Sequence, residues 1–393
     1  MANELTFNQI STVLNSVVEQ VTGRTELAPI DTASFVTQAQ KALKMGYDPV
    51  LNAISQVLSK TIFSIRPYYR KFAGLEVDEI KWGNHVRKLT NCDSPFNDDS
   101  RYTLEDDVSV DMYKVKKNKL LQMNYFGLET FEFQSPTYFR DQLDVAFSSP
   151  GEFARYITMV TQNASDIIEQ GYESLARGVV ANLIGGKVAI EEENPDSVIH
   201  LVTEYNEYAG TSLDSETIHT PENFKPFAQW VFGRIRTLRD MMTERTSLYQ
   251  MNVEGYTINR HSPLDRQKIY FIADELNHID ASVLSNTYND EYLRLGDHER
   301  LNFWQNPKEP YKVSVKPNYI NAQGELDQYT EAIIIDNVFG VIFDEEAIGY
   351  TRANQWSGVT PFNVKGGYWN EFYHSTGRYW TDLTEKAVLL MLD

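Results

Sequence analysis

Residues 148–186 read SSPGEFARYITMVTQNASDIIEQGYESLARGVVANLIGG. The start of this stretch is a helix start. The hydroxyl of Ser149 can accept from a free amide, Pro150 fixes the first helical φ, and Glu152, three residues after the serine, completes a capping box. Phe153, Ile157, Val160, Ala164, Ile167, Ile168, Leu175, Val179 and Leu183 recur at helical spacing as one apolar stripe. Gly185 and Gly186 are read as the stop. The predicted helix has about 35 residues and, at ~1.5 Å each, spans roughly 50 Å. That is about three times the usual length of ~11–12 residues. The stripe does not hold a sustained heptad, so a coiled coil is not predicted.

Upstream lie two different patterns. LTFNQISTVLNSVVEQVTG places Leu5, Ile10, Leu14, Val17 and Val21 at helical spacing and ends at Gly23. A second helix is predicted over TASFVTQAQKALKMG, ending at Gly46, and a third from Asp48, with Pro49 at its first position. These helices read as an arm or a lead-in and not as a domain of their own. From about 61 to 133 the chain turns to strand. EVDEIKWGNHVRKL and VSVDMYKVKKNKLLQMNYFGLETFEF are long extended runs around a polar tip, TNCDSPFNDDSRYT. A lone two-stranded ribbon is marginal in water, so something outside it must hold it. Residues 61–128 carry 11 Lys/Arg against 10 Asp/Glu, a net charge of +1, whereas the rest of the chain carries −20. The run KVKKNK therefore reads as a basic arm that lies on the acidic body of another copy.

Downstream, residues 190–349 read as mixed helix and strand. TPENFKPFAQWVFGRIRTLRDMMT is a capped amphipathic helix, and RQKIYFIADELNHIDASVLSNTYND reads as strand, turn and short helix. Strand-like runs at 332–335 and 338–343 flank Asp336 and Asn337. The chain closes with a long hairpin and a final apolar strand, Ala387 to Leu392. Six of the thirteen residues from Tyr368 to Trp380 are aromatic, and they fall on both faces of the strand. Tyr368, Phe372 and Trp380 share one side; Trp369, Tyr373 and Tyr379 share the other. A half-buried strand shows one apolar and one wet face. Here neither face is clearly wet, which leaves open what covers the second one.

Composition narrows the function. Hydrophobic residues at 42% and charged residues at 23% suit a folded globular chain. A formal net charge of −19 argues against holding nucleic acid by its phosphates and against anionic lipid surfaces. The single cysteine, Cys92, excludes an intramolecular disulfide and a thiolate zinc cage. MANELTFNQI has no signal-peptide pattern, and AIIIDNVFGVIF is too short and too charged to span a membrane. The seven histidines show no metal-ligand spacing. DELNHID gathers Asp274, Glu275, His278 and Asp280, a set a metal could use but one that a turn at a strand end favours anyway. LIGGKVA lacks the first glycine and the Ser/Thr of a phosphate loop. No catalytic motif and no cofactor is predicted.

The order of pieces is helical lead-in, β-excursion with a basic strand, very long helix, α/β region, aromatic hairpin and closing strand. That order resembles the major capsid protein of tailed bacteriophages. KIYFIADELNHIDASVLSNTYND and GYTRANQWSGVTPFNVKGGYWNEFYHSTGRYW are similar to segments from short-tailed, phi-29-like phages. The resemblance implies an α+β chain of the Hong Kong 97 type fold. Its parts would be an N-terminal arm with helices over 1–60, an E-loop over 61–133, and a P-domain with its spine helix over 134–190. An A-domain would cover 191–349, the long P-domain hairpin 350–384, and a closing strand in the A-domain 385–393. It implies a structural protein that self-assembles as pentamers and hexamers into an icosahedral shell around double-stranded DNA, without sequence-specific binding to that DNA. A portal protein and a separate scaffolding protein would be its partners, with no membrane. It would be made in the host bacterial cytoplasm and reside in the virion. Lys114, Lys116, Lys117, Lys119, Trp369, Tyr373 and Tyr379 are then the expected assembly interface. The alternatives are another virion component, such as a minor capsid, connector or tail protein, and a carboxylate-based hydrolase.

Overall fold

The computed structural model describes residues 7–23, 32–45, 49–50, 53, 71–77, 86–94, 99–102, 105–109, 113, 115, 117, 119–125, 127–134, 138–139, 147–284 and 298–393. The chain divides into two compact units. One holds residues 1–82, 128–175 and 351–378; the other holds 83–127, 176–350 and 379–393. The principal helices are α1 (Phe7–Thr22), α2 (Thr32–Lys44), α3 (Pro150–Ala189), α4 (Leu201–Ala209), α5 (Pro221–Thr243) and α6 (Ala273–Leu284). The strands up to α6 are β1 (Val86–Asn91), β2 (Leu120–Tyr125), β3 (Gly127–Gln134), β4 (Tyr138–Phe139), β5 (Val198–His200) and β6 (Gln267–Ile272). After it come β7 (Glu299–Leu301), β8 (Val313–Val315), β9 (Asn318–Ile320), β10 (Leu326–Gln328) and β11 (Ile333–Ile335). The last five are β12 (Val338–Asp344), β13 (Ile348–Val359), β14 (Tyr368–Trp369), β15 (Glu371–Thr381) and β16 (Ala387–Met391).

Helix α3 begins where its capping residues predict. Glu152 N donates to Ser149 Oγ at 3.3 Å and Phe153 N donates to Ser149 O at 3.0 Å. The carboxylate of Glu152 pairs with Arg155 at 3.2 Å. The helix has 40 residues, so it is roughly 60 Å long. It does not stop at Gly185 and Gly186. A Cβ at 185 would strike the Val315 side chain, and one at 186 would come within 3.0 Å of Leu383. The two glycines let neighbouring chain approach the helix axis.

The first unit is built on the opening turns of α3. Leu14, Val17 and Val18 of α1, Phe35 and Ala39 of α2, Phe147, Phe153 and Trp369 bury one another in one cluster. The rings of Phe35 and Phe147 sit 5.7 and 5.1 Å from that of Phe153. The N-terminal helices therefore pack onto the opening turns of α3 within this unit. Residues 49, 50 and 53 of the third predicted helix are helical, with Val50 and Ala53 buried in the same cluster; Asp48 lies outside the described residues. The same unit carries the three-stranded sheet β13-β15-β3 and the short pair β14-β4.

The second unit is centred on a five-stranded sheet of order β5-β16-β12-β6-β7. β12 runs antiparallel to β16 and β6, while β16-β5 and β6-β7 are parallel. Every residue of β12 and β16 is buried, as expected of central strands covered on both faces. Val231, Ile235 and Leu238 of α5, with Leu276 and Ile279 of α6, pack with Phe271, Phe339 and Leu390 of the sheet in one core. α6 follows β6 directly, with no turn between them. Asp280 takes Arg300 at 2.7 Å and Glu275 takes His219 at 3.1 Å. Among the described residues no group of three His, Cys, Asp or Glu side chains is placed to hold a metal.

Candidate assembly interface

The basic arm is a real ribbon at its base. β1 and β2 pair antiparallel from Val86 opposite Tyr125 to Asn91 opposite Leu120. The base is tied to the rest of the second unit by charge. Lys88 Nζ lies 3.1 Å from Asp382 and 3.3 Å from Glu346, and also contacts Glu385. Burial alone would lower the Lys88 ammonium, but Asp382 and Glu385 outweigh it and hold it above the ordinary lysine value. Burial would raise Asp382, but Lys88 and Thr384 keep its carboxyl below the usual range. Burial pushes Glu385 up. Arg260 adds a bond to Thr90 and an ion pair to Glu385, both at 3.2 Å. Asp93 accepts from Asn259 N at 2.9 Å and pairs with Arg245.

The described part of the arm is wet and apolar together. Leu89 and Leu120 at the base, and Tyr102, Val108, Tyr113 and Val115 beyond it, are all more than half exposed. Of the four predicted lysines, Lys114 and Lys116 lie outside the described residues. Lys117 is exposed. Lys119 is engaged by its own chain: its ammonium donates to Gly255 O at 3.0 Å and sits 5.7 Å from the Tyr256 ring. It anchors the base of the arm.

The aromatic hairpin reverses the predicted faces. Trp369 is 1% exposed, in the core with α1 and α2, its ring 4.5 Å from that of Phe362. It is not a residue awaiting another subunit. Ser375 and Gly377, on the same side of the strand, meet α3. Ser375 Oγ and Tyr172 Oη share a hydrogen bond of 2.6 Å, and a Cβ at 377 would strike Leu175. Tyr373 and Tyr379 are half-buried on this inward side. Burial, together with the buried Glu371 carboxylate to which it is bonded, pushes the Tyr373 phenol well above its ordinary value. The physical reason is size: small side chains in the middle of the strand admit a helix, and the aromatics flank it.

A family model for the Phi29-like phage major capsid protein matches residues 10–391. The chain belongs to that family. It is a structural protein of the virion, a major capsid protein, and the family is not one of enzymes. Two solved structures share the fold. The capsid structure of Staphylococcus phage Andhra aligns with a TM-score of 0.51 at 12% identity, over 85% of this chain and 88% of that one. A chain from the structure of the head fiber and inner core protein gp22 of native bacteriophage P68 aligns with a TM-score of 0.54, also at 12% identity, over 85% and 87%. No curated protein matches.

Sequence reading of this capsid protein missed two sets of exposed residues. One is the apolar set on the arm, of which Tyr113 and Val115 alternate with the lysines of KVKKNK. The other is Trp356, on the outward side of β13, 60% exposed. The available signal was a lone large aromatic within the polar run TRANQWSG. A residue type that the surface normally hides stood where nothing in the strand pattern would cover it.

Proposed function

We propose that copies of this capsid protein close into an icosahedral shell of pentamers and hexamers around double-stranded DNA. A portal protein and a separate scaffolding protein take part, and assembly occurs in the host bacterial cytoplasm. In this reading residues 1–60 are the N-terminal arm with its helices and 61–133 the E-loop. Residues 134–190 hold the spine helix of the P-domain, and 191–349 form the A-domain. Residues 350–384 are the long P-domain hairpin, and 385–393 the closing strand. The observation that carries it is the arm: a ribbon pinned by ion pairs at its base and studded with exposed apolar side chains beyond. Such a surface on a monomer is an association hazard; in a shell it is an interface. Of the predicted interface residues, Lys114, Lys116 and Lys117 stay in the proposal and Lys119, Tyr373 and Tyr379 have only secondary places in it.

Charge supports the container. A wall of net charge −19 leaves the phosphate backbone unbound, so packaged DNA stays free to leave. Lysine–carboxylate pairs at a rim are worth only about 0–1 kcal/mol each, but every interface of a closed shell repeats them. The test is electron microscopy of the chain co-produced with the scaffolding protein. Closed shells of uniform diameter are expected. Monodisperse subunits, or isolated rings, would overturn the shell reading.

A further inference from the structure

Strand β5 lies at one edge of the five-stranded sheet, parallel to β16, and its last residue, His200, stands opposite Met391. Helix α4 starts at the next residue, and the His200 side chain does not cap it. A backbone carbonyl from beyond β16 serves instead: Val202 N and Thr203 N both donate to Asp393 O at 3.1 Å. The ring of His200 is bonded on both sides. Nδ1 lies 2.7 Å from Asp393 Oδ1, and Nε2 lies 2.8 Å from Oε1 of Glu191, in the turn that follows α3. Residues 191, 200 and 393 thus meet at one imidazole.

Both neighbours of the ring are carboxylates, which only accept. A neutral imidazole has one N–H and one lone pair, so it satisfies one carboxylate and turns a lone pair on the other; the imidazolium donates to both. The surrounding elements add Glu192, Glu193, Asp196, Glu204 and Glu207. Glu204 is bonded to Arg234 at 2.7 Å, and Lys187, near the end of α3, is turned to Tyr249 O. The remaining charge around the ring is therefore acidic. Burial opposes a charged ring, but Glu191 and Asp393 outweigh it and hold His200 above the ordinary histidine value. We propose that His200 is a pH-sensitive latch: as imidazolium it fastens the turn after α3 and the segment beyond β16 to the start of α4, and as neutral imidazole it releases one of them. The charged form is the low-pH form, so the latch opens as pH rises through the ring's raised value. The ring is 36% exposed and its partners 33% and 41%, so the energy is modest and the opening is local, at the first turn of α4 and the edge strand β5. The latch belongs to the single subunit and is independent of the shell reading.

Hydrogen exchange of the unassembled subunit tests it, read by mass spectrometry on peptides that report Val202 and Thr203. Exchange is measured at about pH 6 and about pH 9, corrected for the intrinsic pH dependence of amide exchange and referred to peptides from β12. Wild-type protection should fall about fivefold from the lower pH to the higher. His200→Phe removes both donors, so its protection should be low at both pH values and the same at each. Glu191→Gln offers Nε2 an amide that donates to it, so the neutral ring keeps both bonds and protection should persist at the higher pH. This second variant changes only a half-buried turn residue, and it decides the question if His200→Phe does not fold. Equal wild-type protection at the two pH values, or a fall that β12 shares, would overturn the latch. So would a fall in either variant as large as that of the wild type.

Discussion

Lys187 is wholly buried, yet neither oxygen it donates to belongs to a carboxylate. Its ammonium reaches Tyr249 O at 3.1 Å and Ser197 Oγ at 3.4 Å. Tyr249 itself has φ of 65°, a conformation a tyrosine holds only when surroundings fix it. Its carbonyl is fixed twice, by Lys187 and by Ala387 N at 2.9 Å. Burial, with Lys386 adding and Asp382 opposing, lowers Lys187 from 10.5 to about 7. Between those values the unfolded chain holds one more proton than the folded one. Stability from this residue therefore rises with pH across that window, by up to about 1.4 kcal/mol per unit, and the penalty is complete below about 7. The buried amine of Lys187 is thus a cost at neutral pH, and Lys187→Met should raise the melting temperature at pH 7. The gain should shrink as pH climbs toward 10. Thermal melts of both proteins in a pH series check this, and parallel curves would show that the buried amine stays charged.

At the scale of elements, α3 shows where a stripe is core and where it is not. Leu183 is fully buried, while Ile167 is half-buried and lines a shallow cavity of about 270 Å³ with Ile168, Gln170 and Gly171. Leu183→Asp should cost several kcal/mol, since it buries a charge without a partner. Ile167→Asp should cost markedly less, because its carboxylate can reach water at the cavity mouth. Denaturant unfolding of the two variants decides it; equal losses would mean the cavity closes in solution. Both positions belong to one stripe in sequence, which gives period but not depth. The helix start was legible because Ser149, Pro150 and Glu152 act locally. The end was not, since Gly185 and Gly186 answer to Val315 and Leu383, which are distant in sequence. The hairpin was legible as a hairpin, but parity separates two faces without saying which one is inside. Ser375 and Gly377 carried that information: a strand face that receives a helix needs small residues.

At the scale of the whole molecule, charge is sorted so that a near-neutral arm grows from an acidic chain. The sequence showed that sorting, and it pointed to the arm as the site of contact between copies. It could not show how the arm is fastened, because Lys88 and its partners Asp382 and Glu385 lie almost 300 residues apart. Fastening is what lets a ribbon of two strands present a set of side chains in one place. Lys88→Met removes the cation 3.1 Å from Asp382 and leaves that carboxylate, which is 1% exposed, beside Glu385 without its ion-pair partner. Breaking a buried pair on one side costs about 3–5 kcal/mol, far more than a surface pair. The variant should therefore melt lower at pH 7. The deficit should narrow under acid, because Asp382, held below the usual carboxyl range by Lys88, loses that stabilisation as pH falls through its folded value. Limited proteolysis should also cut residues 86–125 faster in the variant than in the wild type. Adding Asp382→Asn to Lys88→Met should recover part of the melting temperature but not the protection of the arm, since the neutral pair relieves the stranded charge without restoring the tether. Unchanged proteolysis in both variants would show that strand pairing and the contacts of Asp93, Thr90 and Lys119 hold the arm in place without Lys88.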